Sequence, residues 1–465
     1  MDILLKKETD PNAAPDFVID AARIVGPIKP VNGTCNAPTA TTAKYFKQAR
    51  LPYSRLHDSY LAHHACVDVP AIFPDFDADE TDPANYDFRL TDHYVQSIKD
   101  CGTDIIYRLG NSMESGPVRF HNQPPKDSAK WARICAQIIA HYNDGWANGF
   151  HHRIEYWEIW NEPDADLGRP DMPMAGQWAG TPAQFYELYS VASDLLKRQY
   201  PHLKIGGYGS CAIDEPSRRV FFEGFLAHLD SHPHALDFLS LHAYGDSTEK
   251  IVNRVNYITT QLAQHGRAGL ELVCTEYNYI WEFENIWPKL GDPNGEHFRQ
   301  ELFDSMRTAR AASYILGALI TFQNQPTVTI ANFYRTDNGV WDATWSPHGV
   351  PEKPYYALLA FSEAHGLQQL ACATHANGLH ALAATDPQSG RLVILISNYT
   401  GIDREYELRL ENLPADARYR MERHQTDDRR NHEKIADQTI TPGGRDLTLY
   451  LRAGSLTTLK LTPTG

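Results

Sequence analysis

Between about Ile28 and Phe322 the chain alternates short apolar runs with longer stretches of helical hydrophobic periodicity. That alternation is the mark of βα units wound around a parallel sheet. The runs Ile28–Asn32, Tyr53–His57, Asp104–Leu109, Ile154–Trp160, Lys204–Gly207, Phe238–His242, Leu270–Thr275 and Leu319–Gln323 read as strands. Eight of them are the number that closes a (β/α)8 TIM barrel. Between them the pattern predicts helices such as Ser128–Tyr142 and Thr181–Gln199. The second opens Thr-Pro, a capping hydroxyl before a proline at the first helical position.

Near residue 370 the period shortens to two. Leu379–Ala384, Leu392–Tyr399, Tyr406–Leu413, Tyr419–His424 and Asp446–Leu461 alternate apolar and polar residues and are separated by Gly, Pro, Asn and Asp. This predicts an accessory antiparallel β-sandwich. The expected division is therefore a barrel over residues 22–368 and a sandwich over 369–465, joined by strands from residues 1–21. All nine tryptophans lie before residue 346. Without a tryptophan to stack on a sugar, the sandwich reads as a support for the barrel.

Composition narrows the partners. A formal net charge of −15 lacks the basic face that nucleic acid or an anionic membrane requires. A neutral ligand such as a sugar remains compatible. Seven cysteines scattered without CxxC spacing argue against a disulfide framework and against a structural zinc site. The first residues hold no apolar stretch of signal-peptide length, and no run of about 18 apolar residues occurs anywhere. A reduced, cytoplasmic protein is expected, although a chain shorn of its native signal would read the same way.

Candidate chemistry sits just past strand ends, where barrel loops build one mouth. The fourth predicted strand runs into Trp160-Asn161-Glu162-Pro163, and the seventh into Thr275-Glu276-Tyr277-Asn278. Each delivers a carboxylate, and strands four and seven lie across a barrel from one another. Glycoside cleavage needs such a pair, one carboxyl protonated to serve the leaving oxygen and one ionised to attack the anomeric carbon. Two carboxylates suffice, so no cofactor and no metal is implied. The Asn161 amide is placed to bind a sugar hydroxyl. Pro163 is expected to hold Glu162 in an extended backbone conformation.

The series Arg55-Leu56-His57, Tyr86-Asp87-Phe88, Pro124-Pro125-Lys126-Asp127, Trp160-Asn161-Glu162-Pro163, Leu241-His242-Ala243-Tyr244, Thr275-Glu276-Tyr277-Asn278 and Lys353-Pro354-Tyr355-Tyr356 resembles, in this order, glycoside hydrolase family 39. The resemblance implies a retaining glycosidase with Glu162 as acid/base and Glu276 as nucleophile. It also implies that His57, Asn161, His242 and Tyr244 contact the sugar, with Tyr244 helping to keep the nucleophile ionised. In the β-xylosidases of that family, acidic residues follow strand eight. The segment assigned to that place here, Thr321 to Thr329, has none. Gln325 or Asn324 is expected to substitute, with weaker discrimination for xylose.

The expected activity is exo-cleavage of short pentose-containing oligosaccharides, with β-xylosides first. α-L-Arabinosides or arabinobiosides come second, and iduronides third, with Arg335 as the one basic group named for a uronate. The rival from another class is a carbohydrate-binding protein without catalysis. The sequence leaves oligomeric state open. Glu158 reads as an interior ion pair. The acidic run Asp75, Asp77, Asp79, Glu80 and Asp82 departs from a calcium loop at its sixth and twelfth positions and reads as a solvated loop. Trp281, Trp287, Trp341 and Trp345 serve equally as sugar platforms or as loop packing.

Overall fold

The computed structural model describes the chain apart from residues 1–3, 6–14, 62–63, 115–118, 166–176, 282–285, 337–340, 342, 415, 443–445 and 465. Eight strands close a barrel: Gly33–Cys35, Tyr53–Leu56, Asp104–Leu109, Tyr156–Ile159, Lys204–Ser210, Phe238–Gly245, Glu271–Tyr279 and Val328–Phe333, here barrel strands one to eight. Each pairs in parallel with its neighbours in sequence, and the eighth closes on the first through Asn332 opposite Gly33 and Phe333 opposite Thr34.

The helices between them follow local chemistry. Asp127 caps Ser128–Asn143 by accepting from the amides of Ala129 and Lys130. Thr181 and Gln184 form a capping box ahead of Pro182–Gln199, with proline at the first helical position.

Two predicted strands are corrected. Ile28–Asn32 is outside the barrel; barrel strand one is Gly33–Cys35, after Pro30. Leu319–Gln323 is helical, lying within Ala309–Asn324, and barrel strand eight is Val328–Phe333. The reason is burial on every side: all residues from Ala311 to Gln323 are buried. A helix that is apolar all round has no stripe and is indistinguishable from a buried strand by periodicity.

The helix is enclosed because a second domain packs on it. Ten strands form one hydrogen-bonded sheet in the spatial order Leu4–Leu5, Leu447–Leu451, Arg404–Glu411, Phe17–Pro27, Gln368–Thr374, Leu379–Thr385, Leu392–Asn398, Ser455–Pro463, Tyr419–Thr426, Glu433–Ile440. It is a single sheet with one parallel pair, Arg404–Glu411 beside Phe17–Pro27, and otherwise antiparallel. The strand Phe17–Pro27 runs past residue 22, and Asp446–Leu461 divides at Gly454, whose φ of +64° suits the turn.

Alternation gives the sheet two buried faces. Phe17, Ile19, Ile394, Ile396, Leu408, Met421, Leu449 and Leu459 form its own core. Leu382, Ala384, Val393, Leu395 and Leu456 belong instead to the barrel's core. Ser397 Oγ donates to the Ser313 carbonyl at 2.6 Å, and a Cβ on Gly317 would meet His380 at 2.9 Å, so sheet and helix are in close contact.

Candidate active site

The inside of the barrel is built in layers. Near the N-terminal ends of the strands, Tyr53, Ile106, Tyr156, Phe238, Val273 and Ile330 pack together. Two residues further along strands two and four, inward-facing positions carry Arg55 and Glu158, both fully buried. Arg55 is the hub. Its Nε donates to Glu158 Oε2 at 2.7 Å, its Nη1 to Glu276 Oε1 at 2.5 Å and its Nη2 to Asn161 Oδ1 at 2.6 Å. Glu158 is thus the interior ion pair that its position implied. In the sequence Arg55 belongs to the Arg55-Leu56-His57 motif, and its signal is a cation two positions before His57 on a strand whose alternate residues face the interior.

Glu276 reaches this hub through a register slip. Leu241 stands opposite Cys274, but His242 stands opposite Glu276, so the pairing skips Thr275. Such a bulge re-aims a side chain, and it aligns Glu276 with His242. Tyr244, two residues on, donates its hydroxyl to Glu276 Oε2 at 2.5 Å. Burial pushes the Glu276 carboxyl upward, opposed by His242, Arg55 and the Tyr244 hydroxyl.

Glu162 approaches from barrel strand four. Its φ is +43°, and Trp160 stands at +70°, so the extended conformation expected before Pro163 is not adopted. Left-handed angles at two non-glycine residues are costly and are held here by tertiary bonds. The Glu162 amide donates to the Gly209 carbonyl at 3.0 Å, and the Trp160 indole donates to the Gln177 carbonyl at 2.9 Å. Gly209, at φ +61°, is required on two counts, since a Cβ there would crowd Arg55, Glu158 and Asn161 at 3.2–3.3 Å.

His242 lies between the two glutamates. Its Nδ1 is 2.6 Å from Glu162 Oε1 and 3.5 Å from Glu276 Oε2, while Nε2 is buried with no partner among the described residues. Burial lowers the His242 ring to about 4, so it is neutral at pH 7. Burial raises Glu162 to about 7, against the pull of Arg218, Cys211 and Arg55. The ligand atoms of Glu162, His242 and Glu276 all lie within 4.8 Å of one another. Three such donors can meet a metal ion, but Arg55 already brings a full positive charge to 2.5 Å from Glu276, which opposes a second cation.

His57 is buried beside this group, 3.5 Å from Asp58 through Nε2, with Nδ1 unpartnered among the described residues. Burial and the nearby cations keep it well below the usual histidine range. The structure therefore brings together His57, Asn161, Glu162, His242, Tyr244 and Glu276. It does not bring Gln325 to them. Gln325 caps the C-terminus of the helix before barrel strand eight, and its carbonyl accepts from Lys29 and from Val328 at the first residue of that strand. That is the opposite end of the barrel from the mouth. The lack of carboxylates in 321–329 consequently carries no information about the sugar.

The segment that does follow barrel strand eight begins Tyr334-Arg335-Thr336 and includes Asp337 and Asp342, which lie outside the described residues. Among the tryptophans, Trp345 stacks on Tyr45 at 5.4 Å and Trp281 meets Phe298 and Ser305, so both pack loops; the Trp287 side chain lies outside the described set. In the acidic run, Asp75, Asp79 and Asp82 accept from nearby backbone amides, and Glu80 pairs with Arg133.

A family model described as Glycosyl hydrolases family 39 matches residues 18–290, more than half of the chain. The chain belongs to this family. A β-xylosidase from Caldicellulosiruptor saccharolyticus is 24% identical over 225 residues, 46% of this chain and 42% of that protein. The chain thus aligns with less than half the length of this curated relative. A glucosidase from Croceicoccus marinus superposes with a TM-score of 0.76 at 23% identity, covering 98% of this chain and 100% of that one. A monomeric β-xylosidase from Caulobacter crescentus follows with a TM-score of 0.70 at 16% identity, over 97% and 100% of the two chains. At these identities the superpositions establish the family 39 chain's fold, barrel and sheet together.

Proposed function

We propose that this chain is a retaining exo-glycosidase that acts by double displacement on short pentose-containing oligosaccharides, β-xylosides first. Glu276 is the nucleophile and Glu162 the general acid/base. The observation that carries this reading is that the two carboxyls flank one histidine, His242, with one oxygen of each lying within 4.8 Å of the other. Retaining enzymes hold their carboxyl groups about 5–5.5 Å apart, whereas inverting ones leave ~6.5–9.5 Å for a water.

In the first step a Glu276 oxygen bonds to the anomeric carbon as the glycosidic bond breaks, and Glu162 gives its proton to the leaving oxygen. In the second, Glu162, now a carboxylate, takes a proton from water while that oxygen displaces Glu276. The environment suits both roles. Burial keeps Glu162 protonated up to about pH 7, so kcat/KM is expected to fall as pH rises through that value. Arg55 and Tyr244 both bond Glu276 and favour its ionised form.

The pentoside reading is supported by the β-xylosidase relative. α-L-Arabinosides remain its nearest alternative. Against uronides, Arg335 is turned onto the Asp58 carbonyl and the Tyr334 hydroxyl. The test is a chromogenic panel of xylosides, arabinofuranosides, arabinopyranosides, glucosides and uronides, run on the wild type, Glu276→Gly and Glu162→Ala. The wild type is expected to favour the β-xyloside. Glu276→Gly is expected to lose roughly three orders of magnitude or more, with azide restoring turnover as an azido-sugar of inverted configuration. Glu162→Ala is expected to spare activated aryl leaving groups while slowing alkyl glycosides. A Glu276→Gly variant keeping a tenth of its activity would remove the assignment, and a silent wild type would leave a carbohydrate-binding protein.

A further inference from the structure

Glu162 is flanked by groups that the proposed double displacement does not use. Arg218, in the first turn of the helix Pro216–Leu229 after barrel strand five, is buried. Its Nε donates to the Asp164 carbonyl at 3.3 Å and its Nη2 to the Ala165 carbonyl at 3.0 Å, while Nη1 pairs with Glu215. One guanidinium therefore ties the helix to the backbone two and three residues beyond Glu162. The Asp164 carboxylate, fully buried, accepts from the Cys211 amide at 3.1 Å through Oδ1, and its Oδ2 has no partner among the described residues. The Cys211 side chain in turn lies against Glu162 and favours its carboxylate form.

We propose that Arg218 is a positioning residue, which fixes the Glu162 loop through the Asp164 and Ala165 carbonyls and helps to set the pH at which Glu162 gives up its proton. The inference rests on Glu162 being the acid/base. The guanidinium favours the carboxylate form of Glu162, while burial pushes the Asp164 carboxyl itself up to about 7, so that it titrates in the same range as Glu162. The other titratable or charged groups facing Glu162 are His242 from barrel strand six, Glu276 from strand seven, Arg55 from strand two, Asp58 just beyond it, and Cys211 beyond strand five. Of these, Cys211 also meets Asp164 through its amide, so replacing Arg218 is the more direct test of the clamp.

The experiment is the pH profile of kcat/KM on an alkyl β-xyloside, whose poor leaving group requires the acid, measured for wild type, Arg218→Met, Arg218→Lys and Asp164→Asn. Arg218→Met is expected to move the alkaline limb up by about one pH unit. Asp164→Asn, nearly isosteric, keeps the backbone carbonyls that Arg218 grips and is expected not to move it up. Arg218→Lys keeps the charge but loses the two-carbonyl grip, so it should leave the limb in place and lower kcat on the alkyl substrate more than on an aryl one. A purely structural clamp would lower stability and leave every limb where it is, and that outcome overturns the proposal. Should Arg218→Met fail to fold, Arg218→Lys decides: equal losses on the alkyl and aryl substrates would overturn the proposal. If Glu162→Ala shows no leaving-group dependence, the acid/base reading itself has failed; if it does and the limbs are unmoved, only this inference falls.

Discussion

The floor and the upper layer of the barrel are made from the same strands, two residues apart, and have opposite characters. Tyr53, Tyr156 and Phe238 form the floor; Arg55, Glu158 and Ser240 follow them directly. The floor is a mostly apolar plug, and its burial contributes stability with few polar groups to satisfy. The upper layer buries one guanidinium against two carboxylates and leaves a Glu158 oxygen and a His242 nitrogen without partners among the described residues. Buried ion pairs seldom add stability over apolar side chains, because desolvating the charges costs as much as the pairing returns. The barrel thus holds itself closed from below and keeps a poised electrostatic arrangement above, and each half can be broken without the other.

The largest expected effect comes from Arg55. In Arg55→Met, Glu158 and Glu276 lose their common cation inside the barrel. Breaking a buried pair costs roughly 3–5 kcal/mol, and loss of the cation that favours ionised Glu276, the proposed nucleophile, is expected to lower kcat/KM by on the order of 10²–10³-fold. Adding Glu158→Gln should return most of the lost stability, measured by urea unfolding, and none of the lost activity. Recovery of both would mean that Arg55 serves the fold alone.

Phe238→Ala strikes the floor. Removing a buried phenylalanine typically costs about 3–5 kcal/mol. The molecules that remain folded should keep wild-type kcat and KM at low temperature, since Phe238 packs with Tyr156, Ile106, Val273 and Ile330 in the layer below Glu276. A changed pH profile or KM in this variant would show that the two layers are coupled, against the separation drawn above.

How legible this was in the sequence depended on what kind of physical signal each part leaves. Barrel strands two to seven were readable because capped, amphipathic helices separate them, as with Thr181-Pro182 and Asp127. Glu162 and Glu276 were readable because a carboxylate at a strand end has few structural reasons to be there. Arg55 was not singled out, since its worth lies in three partners that are 103, 106 and 221 residues away. The slip that aims Glu276 is a property of two strands and has no trace in one. Helix Ala309–Asn324 was misread as a strand because the sheet domain covers the face that would have been polar.

That misreading has the smallest and most specific consequence. Taking Leu319–Gln323 for barrel strand eight put Gln325 at the mouth; in the structure it ends a helix at the other end of the barrel. There it acts through its backbone, whose carbonyl accepts from Lys29 Nζ at 2.8 Å beside those of Phe322 and Val328. Burial lowers the Lys29 amine to about 8, and the three carbonyls are what hold it in place. Replacing the Gln325 side chain removes none of these bonds. Gln325→Ala is therefore expected to change kcat/KM less than twofold on every sugar in the panel and stability by no more than about 0.5 kcal/mol. Lys29→Met, which takes one donor from each of three carbonyls, should destabilise by roughly 1–3 kcal/mol while leaving the preference among sugars unchanged. A shift in sugar preference in Gln325→Ala would return residue 325 to the substrate and contradict the placement of barrel strand eight at Val328–Phe333.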